Sequence, residues 1–184
     1  MSPAADHMTN TSATYVTAEE AFRLVMGSLA TGVTVVTAPA GDGPRGMTCS
    51  SLTSVCLEPA TLAVCLRTAS STRDAALGHA RFAVNLLHGG AERTARVFST
   101  AVPDRFALVD WRMSETGLPQ LTEDACAYAE CDVVHTVEIG DHTMIFGAVT
   151  DSCVLPGTPL VYARRSYRSW DALPSTQDRP EGEQ

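Results

Sequence analysis

The chain has 184 residues, 45% of them hydrophobic and 18% charged, which is the balance of one globular domain with its own core. Thirteen Lys and Arg against 21 Asp and Glu leave a net charge of −8, which argues against a nucleic-acid partner because phosphate neutralisation needs a basic surface. No apolar run approaches the ~18 residues of a membrane span, and residues 1–15 lack the basic start and apolar block of a secretory signal.

Residues 1–14 are polar and read as a loose arm. Thr17-Ala18-Glu19-Glu20 is a capping box, and Phe22, Val25, Met26 and Leu29 follow at helical spacing. A helix is expected to about Ala30, its apolar face covered by a sheet or barrel. Thr31 to Ala38 is rich in β-branched residues and reads as a strand. Gly41-Asp42-Gly43 marks a turn. Met47 to Leu57 and Thr61 to Leu66 are the next strands. Ser70-Ser71-Thr72 opens a short helix over Arg73 to His79, with Ser71 and Asp74 in a capping pattern. Arg81 to Leu87 is a strand and Glu92 to Ser99 a second short helix. Asp104-Arg105-Phe106 falls in a loop.

Two long strands follow, from Cys131 to Ile139 and from Thr143 to Val154, joined at Gly140-Asp141 as a hairpin. Pro159 to Tyr162 is a last short strand. Residues 171–184 are polar and Pro-rich and read as a flexible tail, leaving one domain over 15–170. About seven short strands with few helices, and no strand–helix alternation, point to a mainly β, antiparallel, closed or partly open barrel.

Chemistry concentrates in Gly46 to Ser54, where five hydroxyls fall within seven residues. A solvated edge strand is one reading. The other is a surface on which amides and hydroxyls meet the polar rim of a planar heterocycle, with small side chains letting the ring approach the backbone. The Ser70–Thr72 helix start, with Arg73, suits a phosphate as well as ordinary capping. His142 follows the hairpin turn. Tyr162 and Tyr167, with Arg164, Arg165 and Arg168, form a local basic cluster. The six cysteines make no Cys-x-x-Cys pair, and four lie in apolar segments. This fits small buried thiols in a reducing cytoplasm rather than disulfides or zinc. No metal site is expected, and Gly-x-Ser-x-Gly, Gly-x-Gly-x-x-Gly and P-loop patterns are absent.

In this order, Ala30-Thr31-Gly32-Val33, Gly46-Met47-Thr48, Ser54-Val55, Glu58-Pro59, Ser71-Thr72, Phe82 to Leu87, Asp104-Arg105-Phe106, Gly140-Asp141-His142 and Pro159 to Tyr162 resemble the short-chain flavin reductases. These are the reductase components of two-component flavin-dependent monooxygenases. The resemblance spans about residues 17–168 and implies an FMN-binding split barrel of Greek-key type, usually a homodimer, that takes hydride from NADH or NADPH and hands reduced FAD or FMN to an oxygenase. It implies a flavin site at Met47, Thr48, Cys49, Ser50, Ser51 and Ser54, with Asn85 and Phe106 beside it. Ser70, Ser71 and Thr72 fall near the phosphate, and His142, as catalytic residue, lies with Tyr167 by the nicotinamide nucleotide. Cys49 and Ala60 depart from the family's commoner residues. A flavin carrier without reductase activity, or a flavin-dependent oxidase, is the alternative on the same scaffold.

Overall fold

The computed structural model describes residues 17–172; the arm at 1–14 and all but the first two residues of the expected tail lie outside the described residues. The Thr17 hydroxyl accepts from the Glu20 amide at 3.2 Å and the Glu20 carboxylate from the Thr17 amide at 2.9 Å, so the capping box forms. It opens helix α1, Ala18–Gly27, which ends at Ser28, earlier than expected. None of its residues is buried. Phe22 and Val25 remain 64% and 67% exposed, so the sequence expectation that this chain's own sheet covers the apolar face is corrected.

The β-branched run after α1 divides at Val33. Thr31–Gly32 (β1) and Thr34–Ala38 (β2) belong to different sheets. The Val33 amide donates to the Leu160 carbonyl, and its carbonyl accepts from the Leu87 amide, so one residue serves both sheets. All five residues of β2 are buried. Successive side chains face opposite ways, which sends Val36 into a core with Leu66, Phe82, Val84 and Ile145, and Val35 into another with Leu87, Phe98, Phe106 and Leu160.

The expected strand from Met47 to Leu57 is also two: Arg45–Cys49 (β3) and Thr53–Leu57 (β4). Then come Ala60–Arg67 (β5), helix α2 at Ser71–Gly78, Arg81–Leu87 (β6) and helix α3 at Glu92–Ser99. A two-stranded ribbon, Arg112–Met113 (β7) and Pro119–Gln120 (β8), precedes the long hairpin of Ala125–Ile139 (β9) and His142–Val154 (β10). Leu160–Ala163 (β11) and Ser166–Ser169 (β12) form a second hairpin, of which only the first strand was expected.

The main sheet is antiparallel with strand order β3-β2-β6-β9-β10-β5-β4; β1, β11 and β12 form a smaller one. β3 and β4 lie at opposite edges of the main sheet yet are joined by residues 50–52 alone. Such a link reaches roughly 14 Å, whereas seven flat strands would separate the edges by roughly 29 Å. The sheet therefore curls. Ser51 fastens the curl: its hydroxyl donates to the Cys65 carbonyl at 2.9 Å and accepts from the Cys65 amide at 3.1 Å.

All six cysteines are free, and burial pushes the Cys131 thiol up to about 12, so it stays neutral at physiological pH. Among the described residues no helix is long and apolar enough to cross a membrane.

Candidate functional site

Edge strand β3 supplies the floor of the site. The Cys49 carbonyl turns toward β2, where it accepts from the Thr34 hydroxyl at 2.7 Å. The Gly46 carbonyl turns the other way and accepts from Arg105 Nη1 at 2.8 Å. Main-chain groups of an antiparallel strand alternate in direction, so the Thr48 amide and carbonyl also point out of the free edge. A Cβ on Gly46 would lie 2.8 Å from the Phe98 ring and 3.2 Å from Phe106, so β3 can hold its place against α3 only with glycine there.

Beyond this edge opens a cleft of about 610 Å³. Met47, Thr48 and Ser50 line it from β3 and the link after it, Ser70 and Ser71 from the start of α2, and Phe98 to Ala101 from the end of α3. Tyr162 and Tyr167 close it from the small sheet, their ring centroids 4.9 Å apart, with the Arg96 guanidinium 5.2 Å from the Tyr167 ring. Burial, then Tyr162 beside it, raises Tyr167 above the ordinary phenol range, so it remains a neutral donor.

Two arginines, Arg67 and Arg105, also line the cleft, and neither has a carboxylate partner among the described residues. Arg105 Nε is buried without any hydrogen-bond partner. In a protein of net charge −8 this concentrates positive charge at the cleft, with Asp141 close enough to Arg67 to feel it.

The structure brings together Met47, Thr48, Ser50, Ser70, Ser71 and Tyr167 of the residues expected from sequence. Their hydroxyls differ in availability. Thr48 donates to the Ala95 carbonyl at 2.6 Å. Ser70, rather than Ser71, caps α2, accepting from the Thr72 amide while donating to Met47 Sδ. Among the described residues the Ser50 and Ser71 side chains have no such partner.

Several expected residues lie elsewhere. Cys49 is 5% exposed and packs into the core, because its side chain points opposite to that of Thr48. Ser51 is engaged with Cys65, and Ser54 sits on exposed β4, outside the cleft. Thr72 is buried. Asn85 is fully buried: its amide donates to the Val35 carbonyl and Thr37 hydroxyl, and its carbonyl accepts from the Leu121 amide. Phe106 anchors its loop, edge-on to Phe98 at 5.1 Å and Trp111 at 5.3 Å.

His142 opens β10 directly opposite Arg67, so it stands at the cleft rim without lining it. Its Nδ1 is 2.7 Å from Asp141 Oδ1, and this hydrogen bond holds the Asp141 carboxyl below its usual range. Arg73 turns to Thr143, Asp74 and Glu138 instead of the helix start. Arg164 and Arg165 line a separate groove against α1. The arginines that line the cleft are therefore Arg67 and Arg105, not Arg73, Arg164 or Arg165. Sequence carried a partial signal for Arg105, through its place between Asp104 and Phe106, and none for Arg67.

A curled antiparallel sheet whose free edge, hydroxyls and unpaired arginines face one open cleft defines a binder of a planar, anionic nucleotide. Comparison with known proteins says which. Residues 26–171 match the flavin reductase like domain. The chain is 48% identical over 158 residues to the flavin reductase (NADPH) of Lentzea aerocolonigenes, covering 85% of this chain and 92% of that one. It is 44% identical over 155 residues to the flavin reductase (NADH) of Kitasatospora aureofaciens, covering 82% and 81%. A solved NADH:FAD oxidoreductase of Streptomyces globisporus C-1027, in complex with NAD and FAD fragments, superposes with a TM-score of 0.78 at 34% identity over 87% of this chain and 99% of that one. The chain belongs to the flavin reductase-like family and is an oxidoreductase.

Proposed function

We propose that the protein binds FAD or FMN in the cleft along β3, reduces it with NADH or NADPH, and supplies the reduced flavin to a separate monooxygenase in the cytoplasm. The observation that carries the site is Arg105. Arg105 lines the cleft without a carboxylate partner among the described residues, and its Nη1 bond to the Gly46 carbonyl holds it at the free edge of β3, where its charge fits the phosphate of a flavin lying along that edge. The outward Thr48 amide and the Ser50 hydroxyl would meet the ring's polar rim, Ser71 and the arginines its phosphate. His142 and Tyr167 would face the nicotinamide nucleotide. The two bound nucleotides supply the hydride chemistry. The chain's groups orient them, and amides, hydroxyls and arginines favour a ligand that becomes more negative. No acid–base pair is needed, and none lines the cleft. Its mouth is open, which suits an exchangeable flavin.

The three-residue link between the edge strands supports a split barrel over residues 15–170. Free cysteines suit a reducing compartment.

The test is anaerobic mixing with each nicotinamide nucleotide and each flavin. Nicotinamide absorbance is expected to fall faster than without protein for at least one pairing; four flat traces would refute the reading. In the active pairing, His142→Ala is expected to raise KM for the nicotinamide nucleotide about tenfold, the loss of one hydrogen bond of ~1.4 kcal/mol. Flavin Kd should stay within about twofold. An equal loss of both would remove His142 from that role.

A homodimer is part of the same proposal. The uncovered face of α1 is an exposed apolar surface. Surfaces of this kind mark association sites. Light scattering is expected to give twice 19.5 kDa and to fall toward the single-chain mass for Phe22→Glu with Val25→Glu. A parent already at the single-chain mass would contradict it.

A further inference from the structure

We propose that the enzyme takes FAD in preference to FMN, seating the adenosine half in a second hollow that opens from the flavin cleft at Arg105. This rests on the flavin reading above. The hollow encloses about 390 Å³ between the Asp42–Gly46 turn and the segment from Val102 to Phe106. Ser71 and Arg105 line both spaces, so they mark the seam. Each volume lies in the range of small-molecule pockets, ~300–1,000 Å³.

The chemistry changes across the seam. FMN ends in a terminal phosphate. FAD continues through a second phosphate into ribose and adenine. Arg105 lines both spaces, its guanidinium positioned by the Nη1 bond to the Gly46 carbonyl and without a carboxylate partner among the described residues, so its charge faces a diphosphate laid across the seam. Arg45, the other cation of the hollow, is closed by both Asp42 carboxylate oxygens at 2.5 and 2.6 Å and by the Gly43 and Pro44 carbonyls. Past Arg105 the hollow presents Asp104 beside Val102 and Pro44, the Asp42 carboxylate being taken up by Arg45. Carboxylates repel a bare terminal phosphate but accept hydrogen bonds from ribose hydroxyls and an adenine amino group. The apolar side chains give a purine surface to lie on.

The loop geometry is fixed for this use. Asp104 is left-handed, with φ 50° and ψ 52°, a conformation that a non-glycine residue keeps where neighbours enforce it. The Phe106 ring packs edge-on to Phe98 and Trp111, which anchors the segment, and the Nη1 bond to the Gly46 carbonyl holds the Arg105 side chain on the seam.

The test is equilibrium titration of the full chain with FAD and with FMN by flavin fluorescence in the same buffer. FAD is expected to bind about tenfold tighter, 1.4 kcal/mol. Val102→Trp fills the hollow from an exposed position and is expected to bring the FMN-to-FAD ratio of Kd to about one. Asp104→Asn keeps a residue that tolerates the left-handed backbone. It is expected to narrow the ratio from the other side by removing the repulsion of the FMN phosphate. Equal Kd for the two flavins in the parent overturns the proposal, as does a ratio left unchanged by both variants. Binding of neither flavin overturns it together with the reductase reading, whereas reduction of both flavins with equal Kd removes only this inference.

Discussion

Asn85→Ala is expected to destabilise the fold by about 3 kcal/mol while leaving flavin binding nearly intact. The Asn85 amide is fully buried and closes three hydrogen bonds, to the Val35 carbonyl at 3.1 Å, the Thr37 hydroxyl at 3.2 Å and from the Leu121 amide at 2.9 Å. Thr37 in turn donates to the Pro119 carbonyl, so one side chain ties β2 and β6 to the segment around β8. Truncation leaves the buried Leu121 amide without its partner and opens a cavity, each costing of order 1–3 kcal/mol. For a chain of this size 3 kcal/mol lowers Tm by roughly 6–12 °C. Thermal unfolding followed by circular dichroism measures it, with flavin titration well below the variant's Tm as the second reading. An unchanged Tm with weakened flavin binding would restore Asn85 to the ligand and sink the structural role.

Arg105→Met is expected to weaken FAD and FMN alike by about 10- to 100-fold. The side chain is the cation at the seam between the two spaces, with a donor committed to Gly46 and another unpartnered. Charge-assisted hydrogen bonds contribute ~1.5–3 kcal/mol, and each 1.4 kcal/mol is tenfold in Kd. Arg105→Lys is expected to recover part of the loss, since a point charge replaces the fork. Raising salt should weaken the parent more than the Met variant. Arg73→Met is the contrasting case. Arg73 Nη2 is 2.5 Å from Glu138 and its Nε donates to Thr143, so its loss should leave both flavin Kd values within about twofold. If instead Arg73→Met abolished binding and Arg105→Met did not, the helix start with Arg73 would be the phosphate site, one of the two readings the sequence left open.

These two residues show where local reading stops. Asn85 stands in Arg-Phe-Ala-Val-Asn-Leu-Leu, a strand whose limits were legible because its neighbours are apolar and β-forming. Nothing in that run says whether the amide meets a ligand or the backbone of another strand, because its partners, Val35 and Leu121, are far away in the chain. Arg73 beside Ser71 and Thr72 has the composition of an anion site, but a long side chain is directed by what lies across the fold, here the β9–β10 hairpin. The expected single strand from Met47 to Leu57 divides for a related reason. Its residues do have strand propensity on either side, but closure of the curl requires the chain to leave one sheet edge and rejoin the other, and Ser50 to Leu52 make that passage.

What the sequence determined by itself was whatever depends on near neighbours. The Thr17–Glu20 box, the strand from Arg81 to Leu87, the helix from Glu92 to Ser99 and the hairpin tip at Gly140-Asp141 follow from spacing and turn chemistry. So does the ordered set of short motifs that places the chain among the flavin reductases. Tertiary structure alone decided which hydroxyls are free, that Arg67 and Arg105 rather than Arg73 charge the cleft, and that the apolar face of α1 stays uncovered. The reason is physical. A cap or a turn is closed by groups a few residues apart, whereas a binding site is made of the donors and charges left over once every strand has found its partner, and that remainder is a property of the whole fold.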